Sequence, residues 1–141
     1  MSINKKRILF ADDDVSIVNT FKIVLEEEGY SVETSFTGEQ ALKKLRDSEF
    51  DLLISDIRLP DIRGDHLVKK IREKDYELRI ILITGYPSYV ECIDMLGLGI
   101  SDILLKPFTP DELINSMEDA LERPIFCHPN LETWLNSREW N

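Results

Sequence analysis

Five short apolar segments, at residues 8–11, 31–35, 52–55, 80–84 and 103–105, constrain this chain's fold more than any other feature. Four of them are almost unbroken apolar runs. Strands of that kind are buried on both faces, as in a parallel sheet with helices above and below. The segment around Val32 alternates with polar neighbours and reads as a more exposed edge strand.

Stretches with helical spacing separate these runs. From about Val15 to Glu28, the residues Val18, Phe21, Val24 and Leu25 share one face, and Gly29 supplies a stop. Thr37 and Gln40 have capping-box spacing before Ala41, Leu42 and Leu45. A third helix carries Leu67, Val68 and Ile71. A fourth begins with Ser88 and Glu91, carries Ile93 and Leu96, and ends near Gly97. The fifth has the sharpest start: Thr109 at the cap, Pro110 at the first helical position and Glu112 at the third. Pro124 stops it. Five strand–helix alternations with right-handed crossovers predict an α/β fold, a doubly wound five-stranded parallel sheet with five helices.

Composition narrows the function. The chain has 141 residues, with 17 basic against 27 acidic side chains and a net charge of −10. Such an anionic surface argues against direct binding to nucleic acid or to anionic membranes. Two cysteines without a CxxC spacing, Cys92 and Cys127, exclude a disulfide framework and a zinc ribbon. No signal-peptide core or membrane-spanning run is evident, and the expected location is cytoplasmic.

In doubly wound sheets, ligands bind at the carboxyl ends of the strands. The first run ends in Asp12, Asp13 and Asp14, and the third in Ser55 and Asp56. The fourth ends in Thr84, and the fifth in Lys106 and Pro107. The fold would thus gather carboxylates, a hydroxyl and an ammonium at one edge. Carboxylates this close repel one another unless they share a cation or a proton. Oxygen donors without His or Cys select a hard ion such as Mg²⁺, or Mn²⁺ in its place. A lysine and a threonine hydroxyl are what a phosphoryl group needs, and an aspartate beside them can be its nucleophile.

The segments ILFADDD, ISDIRLP, ITGYPS and LLKPF, in this order and spacing, resemble the receiver domain of two-component response regulators. The resemblance covers about residues 5–122 and implies a chemotaxis-regulator-like, flavodoxin-like strand order 2-1-3-4-5. It implies that Asp56 accepts a phosphoryl group from a sensor histidine kinase or phosphotransfer protein. Asp12, Asp13 and Asp56 would hold the metal with the backbone carbonyl of Arg58. Thr84 and Lys106 would bind the phosphoryl group, Pro107 would follow Lys106 through a cis bond, and Pro60 would shape the loop past Asp56. Tyr86 and Arg58 would modulate water access. Receivers often carry an aromatic residue where this chain has Ile103, so a switch here would need apolar repacking.

The resemblance also implies a face read by partners, formed by the fourth helix, fifth strand and fifth helix. Tyr89, Cys92, Ile103 and Phe108 belong to it, and it is a candidate homodimer surface. Such a domain modifies itself and turns over no small-molecule substrate.

Two other readings compete. A haloacid-dehalogenase-like phosphatase would use Asp12 and Asp14, but leaves Asp56 and Pro60 without a role. A receiver-shaped interaction module that never meets phosphate would leave the acidic, Thr and Lys set idle. Asp14 itself is read as a helix cap, and Asp61, Asp65 and Asp102 as loop solubility. The domain is expected over residues 1–122. Residues 123–141 form a tail or linker, in which Asn130 would cap a short helix bearing Leu131, Trp134 and Leu135.

Overall fold

A computed structural model of the chain describes residues 5–75, 77–85 and 97–123. The strands are β1 (Arg7–Ala11), β2 (Ser31–Ser35), β3 (Leu52–Asp56), β4 (Arg79–Thr84) and β5 (Asp102–Leu105). The helices described are α1 (Val15–Glu27), α2 (Gly38–Asp47), α3 (Gly64–Arg72) and α4 (Pro110–Glu122). The helix expected from Ser88, together with Tyr86, Tyr89, Cys92 and the tail helix, lies outside the described residues. Helix α4 is therefore the fifth helix expected from the sequence. Among the described residues, no helix is long and apolar enough to cross a membrane.

All strand pairs are parallel, in the order β2-β1-β3-β4-β5. Alternate residues of each inner strand feed two separate cores. Leu9, Ala11, Leu53, Ile80 and Leu82 pack with Leu67, Val68 and Ile71 of α3. Ile8, Phe10, Leu52, Ile54, Ile81 and Ile83 pack with Val18 and Leu25 of α1 and Leu113 and Met117 of α4. That double burial is why the inner runs are apolar without a break. Strand β2 has one neighbour and a mixed burial pattern, in keeping with an edge.

The helix starts agree with the sequence signals. Asp14 accepts the N–H groups of Ser16 and Ile17. Thr37 accepts from Gln40 and Thr109 from Glu112. The Gln40 side chain reaches back to the N–H of Phe36, one residue before Thr37. Gly29 ends α1 with φ +97°, a conformation open to glycine at little cost.

Three aspartates expected to serve loop solubility do more than that. Asp61 Oδ1 and Oδ2 accept the N–H groups of Gly38 and Glu39 at 2.8 and 2.9 Å, so the loop after β3 caps α2 from outside. Asp65 is buried in the first turn of α3. Asp102 accepts the Ser116 hydroxyl and ties β5 to α4.

Candidate functional site

The chain passes from β1 outward to β2 and returns to β3 on the other side of β1. That reversal leaves the ends of β1 and β3 side by side, with Ala11 opposite Ser55. The next residues, Asp12 and Asp56, emerge together. Their carboxylates and that of Asp13 bring one oxygen each within 4.8 Å of one another. Asp12 is fully buried, Asp56 is 8% exposed and Asp13 faces solvent.

Lys106 reaches this cluster from β5, two strands away. Its N–H bonds the Thr84 carbonyl at 2.8 Å, extending the ladder past β5. Its Nζ donates to Asp56 Oδ2 at 2.7 Å and lies 2.9 Å from Asp12 Oδ2. Burial would push the ammonium's pKa down. The hydrogen bond to Asp56 and the charges of Asp12 and Asp56 outweigh it and hold the pKa above the ordinary lysine value. Among the described residues, the site sets the carboxyl groups of Asp12, Asp13 and Asp56 beside the ammonium of Lys106.

Backbone donors orient the acids. Asp12 Oδ1 accepts the Asp14 N–H at 3.0 Å, and Asp56 Oδ1 accepts the Arg58 N–H at 2.9 Å. Asp12 Oδ2 is buried and pairs with Lys106 by distance alone, without a directed hydrogen bond. An oxygen in that state, facing two further carboxylates, suits a hard cation. The donor set thus fits magnesium.

Thr84 ends β4 and is buried. The Lys106–Pro107 peptide is cis. Ile103 is 2% exposed and packs in the core beside Leu82 and Ile100, so it lies beneath the surface a partner would touch. Phe108 belongs to the other core and tilts against Phe21 at 5.0 Å. Arg58 is exposed, and Arg58 and Arg63 bridge the loop after Asp56. The Asp14 carboxylate is taken up by capping α1, away from the role the phosphatase alternative needs.

The family model for the response regulator receiver domain matches residues 8–118. The chain belongs to that family. Its strand order, with the acids after β1 and at the end of β3 facing the lysine after β5, is a receiver's architecture. The receiver is 34% identical over 127 residues to the alkaline phosphatase synthesis transcriptional regulatory protein PhoP of Bacillus subtilis, covering 90% of this chain and 53% of PhoP. It is 36% identical to the response regulator GtcR of Aneurinibacillus migulanus, covering 84% of this chain and 48% of GtcR. The receiver thus spans about half the length of these two relatives.

A CheY-like receiver domain protein from Methanospirillum hungatei superposes with a TM-score of 0.82 at 34% identity, covering 84% of this chain and 95% of that one. The chemotaxis response regulator CheY4 of Vibrio cholerae gives 0.78 at 30% identity, covering 84% of this chain and all of that one. This chain is therefore a receiver domain of a two-component response regulator, and neither the phosphatase nor the phosphate-independent reading is favoured.

Proposed function

We propose that Asp56 accepts a phosphoryl group from the phosphohistidine of a sensor histidine kinase or phosphotransfer protein. A carboxylate oxygen of Asp56 attacks phosphorus as the histidine nitrogen–phosphorus bond breaks, and the imidazole nitrogen leaves with the bond pair. Asp12, Asp13, Asp56 and the Arg58 carbonyl would hold Mg²⁺, which when bound offsets charge on the attacking carboxylate and the transferred oxygens. Lys106 supplies a second, fixed positive charge, and Thr84 places a hydroxyl at the same edge for the phosphoryl oxygens. Water later attacks the acyl phosphate and returns the carboxylate, so each cycle restores the protein and releases inorganic phosphate.

The observation that carries this reading is the pairing of Lys106 Nζ with both Asp56 and Asp12, at 2.7 and 2.9 Å. Phosphorylation replaces a carboxylate that Lys106 holds by a larger dianion. Thr84 and the segment after it would adjust to the new acceptor, shifting a pre-existing equilibrium of the face around β5 and α4. With Ile103 in the core, that shift would proceed by apolar repacking.

The decisive experiment is labelling with acetyl phosphate and Mg²⁺. One Asp56-dependent phosphoryl group per chain is expected, lost in Asp56→Asn and without Mg²⁺. Equal labelling of Asp56→Asn, or repeated turnover of a phosphomonoester, would refute it.

A further inference from the structure

The loop from β3 to α3, residues 57–63, carries Arg58, whose carbonyl would help hold Mg²⁺. It is fastened at its base and at its tip. At the base the Gly64 N–H donates to the Ile57 carbonyl, and Arg58 and Arg63 form an antiparallel bridge. The Arg58 N–H itself donates to Asp56 Oδ1 at 2.9 Å. At the tip the Asp61 carboxylate takes the N–H groups of Gly38 and Glu39, one on each oxygen. Ile62 packs beside this contact: a Cβ at Gly38 would lie 2.0 Å from Ile62 Cγ2, so a side chain there would push Ile62 off the helix.

The tip contact is more than α2 needs for its own start. Thr37 already accepts the Gln40 N–H, and the Gln40 side chain reaches back to Phe36. Asp61 adds a tie from 23 residues away in sequence. Its anchor also meets the other half of the site. Ser35, three residues before Gly38, ends β2 and gives its carbonyl to the Asp12 N–H at 3.1 Å. The turn between β2 and α2 thus holds the acids after β1 on one side and the loop after Asp56 on the other.

We propose that Asp61 is a positioning residue for the phosphoryl site: by tying the loop after Asp56 to the start of α2, it fixes Arg58 relative to Asp12 and Asp13. The inference rests on the cation site proposed above and extends it to a residue whose carboxylate is spent on α2. Magnesium demands near-ideal octahedral geometry, and a loop spread over several positions must be ordered before its carbonyl can serve. Hydrogen bonds from backbone N–H groups to a carboxylate are of the strong, charge-assisted kind, which suits them to holding a loop tip.

Thr37→Ala is the matched control, because it removes a cap from the same helix start and leaves the loop tie. Asp61→Ala should weaken Mg²⁺ binding about 3- to 10-fold by titration calorimetry, less than the roughly 10- to 100-fold typical when a group bonded directly to a metal ligand is lost. Thr37→Ala should bind Mg²⁺ as the intact protein does. Asp61→Asn, which loses the charge and keeps one acceptor oxygen, should bind it more tightly than Asp61→Ala. Without metal, hydrogen exchange at the Arg58 amide should quicken in Asp61→Ala and not in Thr37→Ala. Unchanged exchange at Arg58 in Asp61→Ala would overturn the proposal. Equal loss of affinity in Thr37→Ala would reduce Asp61 to a helix cap, and equal loss in Asp61→Asn and Asp61→Ala would reduce it to a distant charge; either overturns it too. An intact protein that binds no Mg²⁺ would refute the cation site itself, and exchange at Arg58 would still decide whether the tie positions the loop.

Discussion

Lys106 sits between two carboxylates that the fold forces together, and its removal separates charge effects from folding. In Lys106→Ala, Asp12 and Asp56 lose their shared ammonium and Mg²⁺ loses a like-charged neighbour. Mg²⁺ affinity is expected to rise roughly 3- to 10-fold, while acetyl phosphate labelling falls about 100-fold or more. Titration calorimetry and labelling would read the two effects, and weaker Mg²⁺ binding would contradict the geometry. Asp61 gives the pH prediction. Burial would raise its carboxyl, but the N–H groups of Gly38, Glu39 and Asp61 itself outweigh this and lower it below the ordinary 3.8. A folded value below the unfolded one stabilises the protein above the unfolded value and is lost as pH falls through the folded one. Asp61→Ala should therefore cost about 0.5–1 kcal/mol near neutral pH, the low part of the capping range because the group is exposed. The stabilities of wild type and variant from denaturant curves should begin to converge below the ordinary 3.8 and meet only under the lowered folded value.

At the scale of the element, the loop from β3 to α3 decides how Asp56 is presented. Gly64 allows it to close. Its N–H donates to the Ile57 carbonyl at 2.6 Å, and a Cβ there would lie 2.9 Å from Ile57 Cα and 3.0 Å from its oxygen. Both are backbone atoms, so relief requires the loop to move. Gly64→Ala should destabilise the domain by about 1–3 kcal/mol and weaken Mg²⁺ binding, because Ile57 directly follows Asp56. Unchanged thermal stability would show that the loop yields easily. Arg72, at the end of α3, holds a second junction. Its buried guanidinium donates to the carbonyls of Leu98, Asp75 and Gly99 and fixes the turn that leads into β5.

Across the whole molecule, binding and stability are linked through the acidic cluster. A cation that binds the folded chain only adds about 2.7 kcal/mol at one hundred times its dissociation constant. Mg²⁺ should therefore raise the melting temperature by several degrees. Asp13→Ala should require more Mg²⁺ for the same rise, with little change in its absence because Asp13 is exposed. Melting curves across a Mg²⁺ series would test this, and a variant that responds like wild type would remove Asp13 from the cation site.

The strands, their parallel class and the capping of α1, α2 and α4 were legible in the residues themselves. Burial on both faces demands unbroken apolar runs, and caps are local hydrogen bonds between near neighbours. The candidate site was legible for a related reason: the loops after β1, β3, β4 and β5 begin where an apolar run stops, so Asp12, Asp56, Thr84 and Lys106 announce themselves by position. Contacts between residues distant in sequence were not legible. Asp61 meets α2 across a separation of more than twenty residues, Arg72 reaches Leu98 and Gly99, and Ile103 turns into the core. Spacing encodes which face of its own element a side chain occupies. Which distant backbone group it then meets depends on how the layers pack, and only the folded chain decides that.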